Sequence, residues 1–224
     1  MSASGKARAG GSKATVAETP ALKWNGPPSG PVLALAHGAG APMDSPFMEA
    51  FAEGLSARGL RVARFEFPYM ARRRTDGTKR PPDFMAVLMA TWHAVLADLG
   101  DGIAIGGKSM GGRVASMIAA EREGEGRPVG KVVCLGYPFH ATGRTEPRTA
   151  HLEGVRTPTL ICQGTRDIMG NEAEVAGYTL SPAVRIHWLA DGDHSFKPRK
   201  ASGRSAAENW TEAMDAVAGF MGVG

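Results

Sequence analysis

Cysteine is scarce: the chain of 224 residues has two, Cys134 and Cys162. One widely spaced pair is no disulfide framework, which excludes a small secreted scaffold. Both lie in apolar runs that read as strands, so buried free thiols are expected, and neither stands where a nucleophile is needed. Long apolar runs are also missing. None approaches the roughly 20 residues of a membrane-spanning helix, so no membrane association is expected. Residues 1–19 are rich in Ser, Ala, Gly and Lys and lack the apolar core of a signal peptide. They read as a flexible N-terminal tail ahead of one domain over 20–224, in a cytoplasmic protein. Excess charge is small, formally +4, and Lys6, Arg8 and Lys13 of the tail supply much of it. Nucleic-acid binding is therefore not indicated. The His and Asp residues lack ligand spacing, so no metal and no other cofactor is expected. Nothing in the sequence specifies an oligomeric state. What remains is a chain 43% hydrophobic and 21% charged, long enough to bury a substantial core.

The most informative stretch is Gly107-Lys108-Ser109-Met110-Gly111, a G-x-S-x-G. Gly102 to Gly106 before it reads as a short buried strand. Arg113 to Ala120 after it reads as a helix with Val114, Met117 and Ile118 on one face. Between strand and helix, this motif is a nucleophile elbow: the serine occupies a strained turn, and glycines keep side chains off the neighbouring backbone. Serine is a weak nucleophile at neutral pH, so it needs a base, an orienting acid and donors for the oxyanion.

Those parts follow in the order the elbow architecture requires, Ser, then Asp or Glu, then His. Thr159 to Gln163 is a strand running into Gly164-Thr165-Arg166-Asp167, and Val184 to Leu189 is a strand leading to the loop that carries His194. Upstream, Val32 to Ala36 runs into His37-Gly38-Ala39-Gly40, a version of the H-G-G-G turn. The expected catalytic residues are Ser109, Asp167 and His194. Backbone N–H groups of Met110 and Ala39 are the expected oxyanion hole, and Gly38, Gly40, Tyr69 and His140 are candidate substrate contacts. Asp193 is the reserve for the acid. His37 is read as orienting backbone, His187 as a face histidine within its strand, and His93 and His151 as surface. Lys108 is read as pairing structurally with a neighbouring acid, without a catalytic role.

On these motifs the chain, from about Pro31 onward, resembles the α/β-hydrolase superfamily. More narrowly, Gly106 to Arg113, Phe67-Pro68-Tyr69-Met70, Gly136 to His140 and Asp191 to Phe196 resemble the KANL3/Tex30-like small hydrolases, distant relatives of the dienelactone hydrolases. The resemblance implies a Ser-Asp-His triad at Ser109, Asp167 and His194. Dienelactone hydrolases typically use cysteine as nucleophile. Ser109 departs from that, so no lactone substrate is carried over.

The remainder alternates strand and helix, giving an α/β fold with a doubly wound, mainly parallel sheet, helices on both faces and no large lid domain. Pro46 to Arg58 reads as a helix capped by Asp44 or Ser45, and Leu60 to Phe67 as a strand. Asp83 is expected to cap a long helix with Phe84, Leu88, Trp92, Val95 and Leu99 on one face. The terminal helix carries a stripe of Trp210, Met214, Val217 and Met221. Entry into the sheet is confined to about Thr15 to Trp24. Two segments read as long loops: Pro68 to Asp83, where Arg72, Arg73, Arg74, Lys79 and Arg80 form either an anion-attracting rim or a solvated connection, and Tyr137 to Arg156, a small cap over Ser109. The expected function is a serine hydrolase of carboxylesterase type acting on a small-molecule acyl substrate. The alternative is a non-catalytic protein-interaction module on the same scaffold.

Overall fold

The computed structural model describes residues 19–223. The tail expected over 1–19 lies, Thr19 apart, outside the described residues. Seven short strands form one sheet: β1 (Lys23–Asn25), β2 (Val32–Ala36), β3 (Arg61–Phe65), β4 (Ala104–Lys108), β5 (Lys131–Leu135), β6 (Thr159–Gly164) and β7 (Val184–Leu189). Their order is β1-β3-β2-β4-β5-β6-β7, with β1 antiparallel to β3 and every other pair parallel.

Alternation along each strand divides the core in two. Leu33, Leu35, Val133, Leu135 and Cys162 face α1 (Pro46–Ala57) and the C-terminal helix α6 (Ala206–Met221). Ala34, Ala36, Val132, Cys134 and Ile161 face α3 (Met85–Leu99) and α4 (Met110–Gly124). Burial on both faces explains why the strands read as continuous apolar runs. On the second side Trp92 meets Phe65 edge-on, with ring centroids 4.7 Å apart. Both cysteines are buried free thiols.

Connections leave β2 toward β3 on one side and return to β4 on the other. The sheet therefore reverses its winding between β2 and β4, and ligands of open α/β sheets bind outside the carboxyl ends at such a point. The turn after β2 begins at His37 and the turn after β4 is Ser109.

The expectation of a loop over 68–83 is corrected. Pro68–Asp76 is a helix, α2, entered from an extended Phe67 and ended by Gly77 at φ 70°. It buries only Tyr69 and Met70, too few to give a helical apolar period in the sequence. Asp83 does not cap α3: its carboxylate accepts from the Tyr69 backbone N–H at 2.7 Å and pairs with Arg72. Phe84 takes the N-cap position and is 89% exposed, so it leaves the expected apolar face of the helix. Ser45 caps α1 through its backbone alone, while Asp44 turns to Arg74.

Three of the four arginines in the basic segment at 72–80 are not free to form a rim either. Arg74 holds Glu66 and Asp44, Arg72 holds Asp83, and Arg80 holds Asp76. Those three charges are locally neutralised, while Arg73 and Lys79 form no ion pair among the described residues.

Candidate active site

Ser109 sits between β4 and α4 at φ 52°, ψ −118°, a conformation that non-glycine residues rarely adopt. Such strain costs about 1–3 kcal/mol and persists because the surroundings over-determine it. The glycines explain how. A Cβ on Gly107 would lie 2.4 Å from the Ala36 carbonyl oxygen, and one on Gly111 would lie at the same distance from it. Strand β2, β4 and α4 approach so closely that only glycine fits. The tight turn lifts the serine off the sheet edge, where it is half-buried.

The hydroxyl meets His194. Ser109 Oγ lies 2.8 Å from His194 Nε2, and His194 Nδ1 lies 2.7 Å from Asp167 Oδ2. A carboxylate only accepts, so Nδ1 carries the proton and bare Nε2 accepts from the serine hydroxyl. Asp167 is fully buried, and its charge is satisfied by Gln163 Nε2 at 2.9 Å and the Met169 backbone N–H at 2.8 Å, in addition to the histidine.

The loop holding His194 is fixed from several sides. Asp193, the reserve acid, points away from the imidazole partner position: its Oδ1 accepts from the backbone N–H groups of Ser195 and Lys197. Phe196 is buried among Phe47 and Phe51, and Asn209 donates to its carbonyl at 2.7 Å. Asp191 accepts from Arg199 and pairs with Arg166.

Lys108 belongs to this support. It forms no ion pair among the described residues; its Nζ donates to the His194 carbonyl at 2.7 Å. The expected pairing with an acid is thus replaced by a hydrogen bond to the loop that carries His194. Burial pushes the Lys108 ammonium down to about 8, while the Asp167 and Asp193 carboxylates pull the other way.

The turn after β2 supplies the remaining part. His37 is buried and held neutral, since burial lowers its pKa. Its Nδ1 donates to the Gly38 carbonyl at 2.7 Å, and its Nε2 accepts from the Phe67 N–H at 3.1 Å. The Tyr69 phenol, kept protonated by burial, lies 3.2 Å from the same Gly38 oxygen and 2.9 Å from that of Ala39. In a trans peptide the C=O and the following N–H point in opposite directions. His37, with a share of the single Tyr69 proton that lies nearer the Ala39 carbonyl, draws the Gly38 carbonyl inward and so turns the Ala39 N–H outward. Gly38 lies against the elbow: a Cβ there would sit 3.7 Å from the Ser109 Cβ. Met110 is the first residue of α4, where N–H groups have no partner within the helix. Among the described residues, neither the Met110 nor the Ala39 N–H has an acceptor.

Of the candidate substrate contacts, Gly38 is buried beside Ser109, and Gly40 is exposed with open space around it. Tyr69 is a buried support of the turn. His140 is buried, with Nδ1 3.1 Å from the Ala141 carbonyl and Nε2 3.4 Å from Glu174. His93 pairs with Glu121 and His187 with Glu212. His151 is corrected from a surface residue to a half-buried one, bonded to Ser116 Oγ at 2.8 Å. That bond pins the 137–156 segment to α4, helped by Leu152 and Val155 in the core and by Tyr137 donating to the Arg148 carbonyl. The sequence reading missed Gln163. The available signal was an amide in a buried strand four residues before Asp167.

Tyr69→Phe tests the peptide-orientation argument. The ring stays in place and the Gly38 carbonyl keeps His37, so turnover should fall about tenfold, less than the roughly hundredfold loss of a direct oxyanion donor. Steady-state kinetics would show the change in kcat with KM nearly constant. An unchanged kcat would mean that His37 alone sets the turn.

Residues 29–222 match the family described as alpha/beta hydrolase domain. The chain belongs to that family. Among solved structures it is similar to an alpha-beta serine hydrolase homologue from Coxiella burnetii, with 19% identity and a TM-score of 0.63, over 88% of this chain and 90% of that one. It is similar to a dienelactone hydrolase from Anabaena variabilis at 23% identity and TM-score 0.63, over 87% and 89% of the two chains. A serine hydrolase without a lid from Xanthomonas campestris matches at 19% identity and TM-score 0.60, over 88% and 87%. Among the described residues no helix is long and apolar enough to cross a membrane.

Proposed function

We propose that the chain is a serine hydrolase that cleaves small ester-like acyl substrates through an acyl-enzyme, with Ser109 as nucleophile, His194 as base and acid, and Asp167 as orienting acid. The observation that carries this is the continuous chain of hydrogen bonds, 2.8 Å from Ser109 to His194 and 2.7 Å on to Asp167. In the reaction Ser109 Oγ attacks the carbonyl carbon while His194 Nε2 takes the hydroxyl proton. The N–H groups of Met110 and Ala39 bind the developing oxyanion, and Asp167 stabilises the imidazolium. His194 then protonates the departing alcohol. Water, deprotonated by His194, attacks the acyl-enzyme, and Ser109 leaves with the proton returned. Lys108 and Gln163 act as positioning residues, one on the histidine loop and one on the acid.

An interaction module has no need of a buried carboxylate, a histidine in the matching tautomer and a strained serine aligned together, which favours the enzyme. Within the family we read the chain as KANL3/Tex30-like, one domain over 20–224, of carboxylesterase type. Two buried free thiols fit a cytoplasmic setting. The test is a panel of p-nitrophenyl esters of increasing acyl length. Turnover should be highest for short acyl groups. Absence of turnover on every ester by folded protein would contradict the proposal.

A further inference from the structure

A cavity of about 630 Å³ lies beside the start of α4, lined by none of Ser109, Asp167 and His194, and its lining includes Arg113, Arg144, Glu146, Arg148 and His151. Its size is that of a small-molecule site, which spans about 300–1,000 Å³. Many guanidinium groups elsewhere hold carboxylates, as those of Arg72, Arg74, Arg122 and Arg199 do. Arg113, Arg144 and Arg148 hold none among the described residues. Glu146 lies in the same wall and is exposed, without an ion pair to any of the three. Three guanidinium groups and one carboxylate thus line one space, an excess of positive charge with no ion pair among them.

Arg113 carries the sharpest signal. Its Nε is buried and has no hydrogen-bond partner. No described residue accepts from the Arg113 guanidinium, and a charged donor without an acceptor is costly, so an anion entering the cavity and meeting its outer N–H groups would relieve that cost. Burial depresses the Arg113 pKa, and the Arg148 charge pushes in the same direction. His151 responds to the same field: burial first, then the Arg113 charge, lowers it to about 4, so it is neutral at ordinary pH.

We propose that this cavity is an anion-binding site that takes a carboxylate or phosphate group of a small ligand, with Arg113 and Arg148 as half-buried anchors and Arg144 at the exposed mouth. The planar guanidinium fork suits both groups through paired N–H bonds. The site begins one helical turn from the elbow, since the Arg113 N–H donates to the Ser109 carbonyl at 3.0 Å. The proposal does not depend on Ser109 being a nucleophile.

The test is calorimetric titration of the full chain with succinate and, separately, with inorganic phosphate in an otherwise weakly coordinating buffer. Saturable binding of at least one is expected, and the tighter of the two names the preferred group. Arg113→Gln and Arg148→Gln should each weaken binding at least tenfold, and Arg144→Gln severalfold. Arg73→Gln, on α2, should leave it unchanged. An independent readout is the His151 imidazole by NMR: a bound anion favours the imidazolium, so its pKa should rise from about 4 by roughly one unit or more. Should the half-buried variants fail to fold, Arg144→Glu, at an exposed position, reads the same property and should abolish binding. No saturable binding of either anion, or equal binding by Arg144→Glu, would overturn the site.

Discussion

Ser109→Ala is expected to lower ester turnover on the order of a million-fold. No neighbouring group replaces the lost nucleophile, because His194 Nε2 is aimed at the serine oxygen alone. The fold should survive. Alanine at φ 52° bears the same backbone strain that serine already bears, and the glycines that hold the turn are untouched. Circular dichroism and thermal unfolding close to the parent, with activity at background, is the expected pair of results. Residual activity within tenfold of the parent would remove Ser109 as nucleophile.

Asp167→Asn is expected to lower turnover about ten-thousand-fold. An asparagine amide turned toward Nδ1 donates, so the imidazole must carry its proton on Nε2, where it cannot accept from Ser109. The amide nitrogen, standing where Oδ2 was, also faces the Gln163 Nε2 donor, which loses that acceptor, while the Met169 N–H keeps Oδ1. An orphaned buried donor costs about 1–3 kcal/mol, so a lower melting temperature should accompany the lost activity. Asp193→Asn should cost far less, since Asp193 accepts only from the loop backbone. If the two variants rank in reverse, Asp193 is the orienting acid.

Much of this site was legible from local order in the sequence. Short apolar runs ending in Ser109, Asp167, His194 and His37 mark strand carboxyl ends, and a parallel sheet brings all such ends to one edge. Chain order then assigns the parts. What was not legible depends on partners distant in sequence. Tyr69 reaches the turn after β2 across 30 residues, and Lys108 reaches the His194 carbonyl across 86. No periodicity encodes either contact. Asp83 looked like a helix cap because it follows two prolines and precedes an apolar stripe, yet Tyr69 and Arg72 compete for it and win. The same competition ties up Arg72, Arg74 and Arg80 of the basic segment at 72–80, while Arg73 and Lys79 form no ion pair among the described residues. The unpaired guanidinium groups that share a cavity are Arg113, Arg144 and Arg148, which no run of basic residues announces.

The most direct measurement is covalent labelling with a fluorophosphonate followed by peptide mapping of the adduct. The hydrogen-bonded arrangement of Ser109, His194 and Asp167 predicts one adduct per chain, on the peptide containing Ser109, with labelling lost in Ser109→Ala and greatly slowed in Asp167→Asn. An unlabelled parent, or an adduct mapping to another serine such as Ser116 while Ser109 stays free, would contradict it.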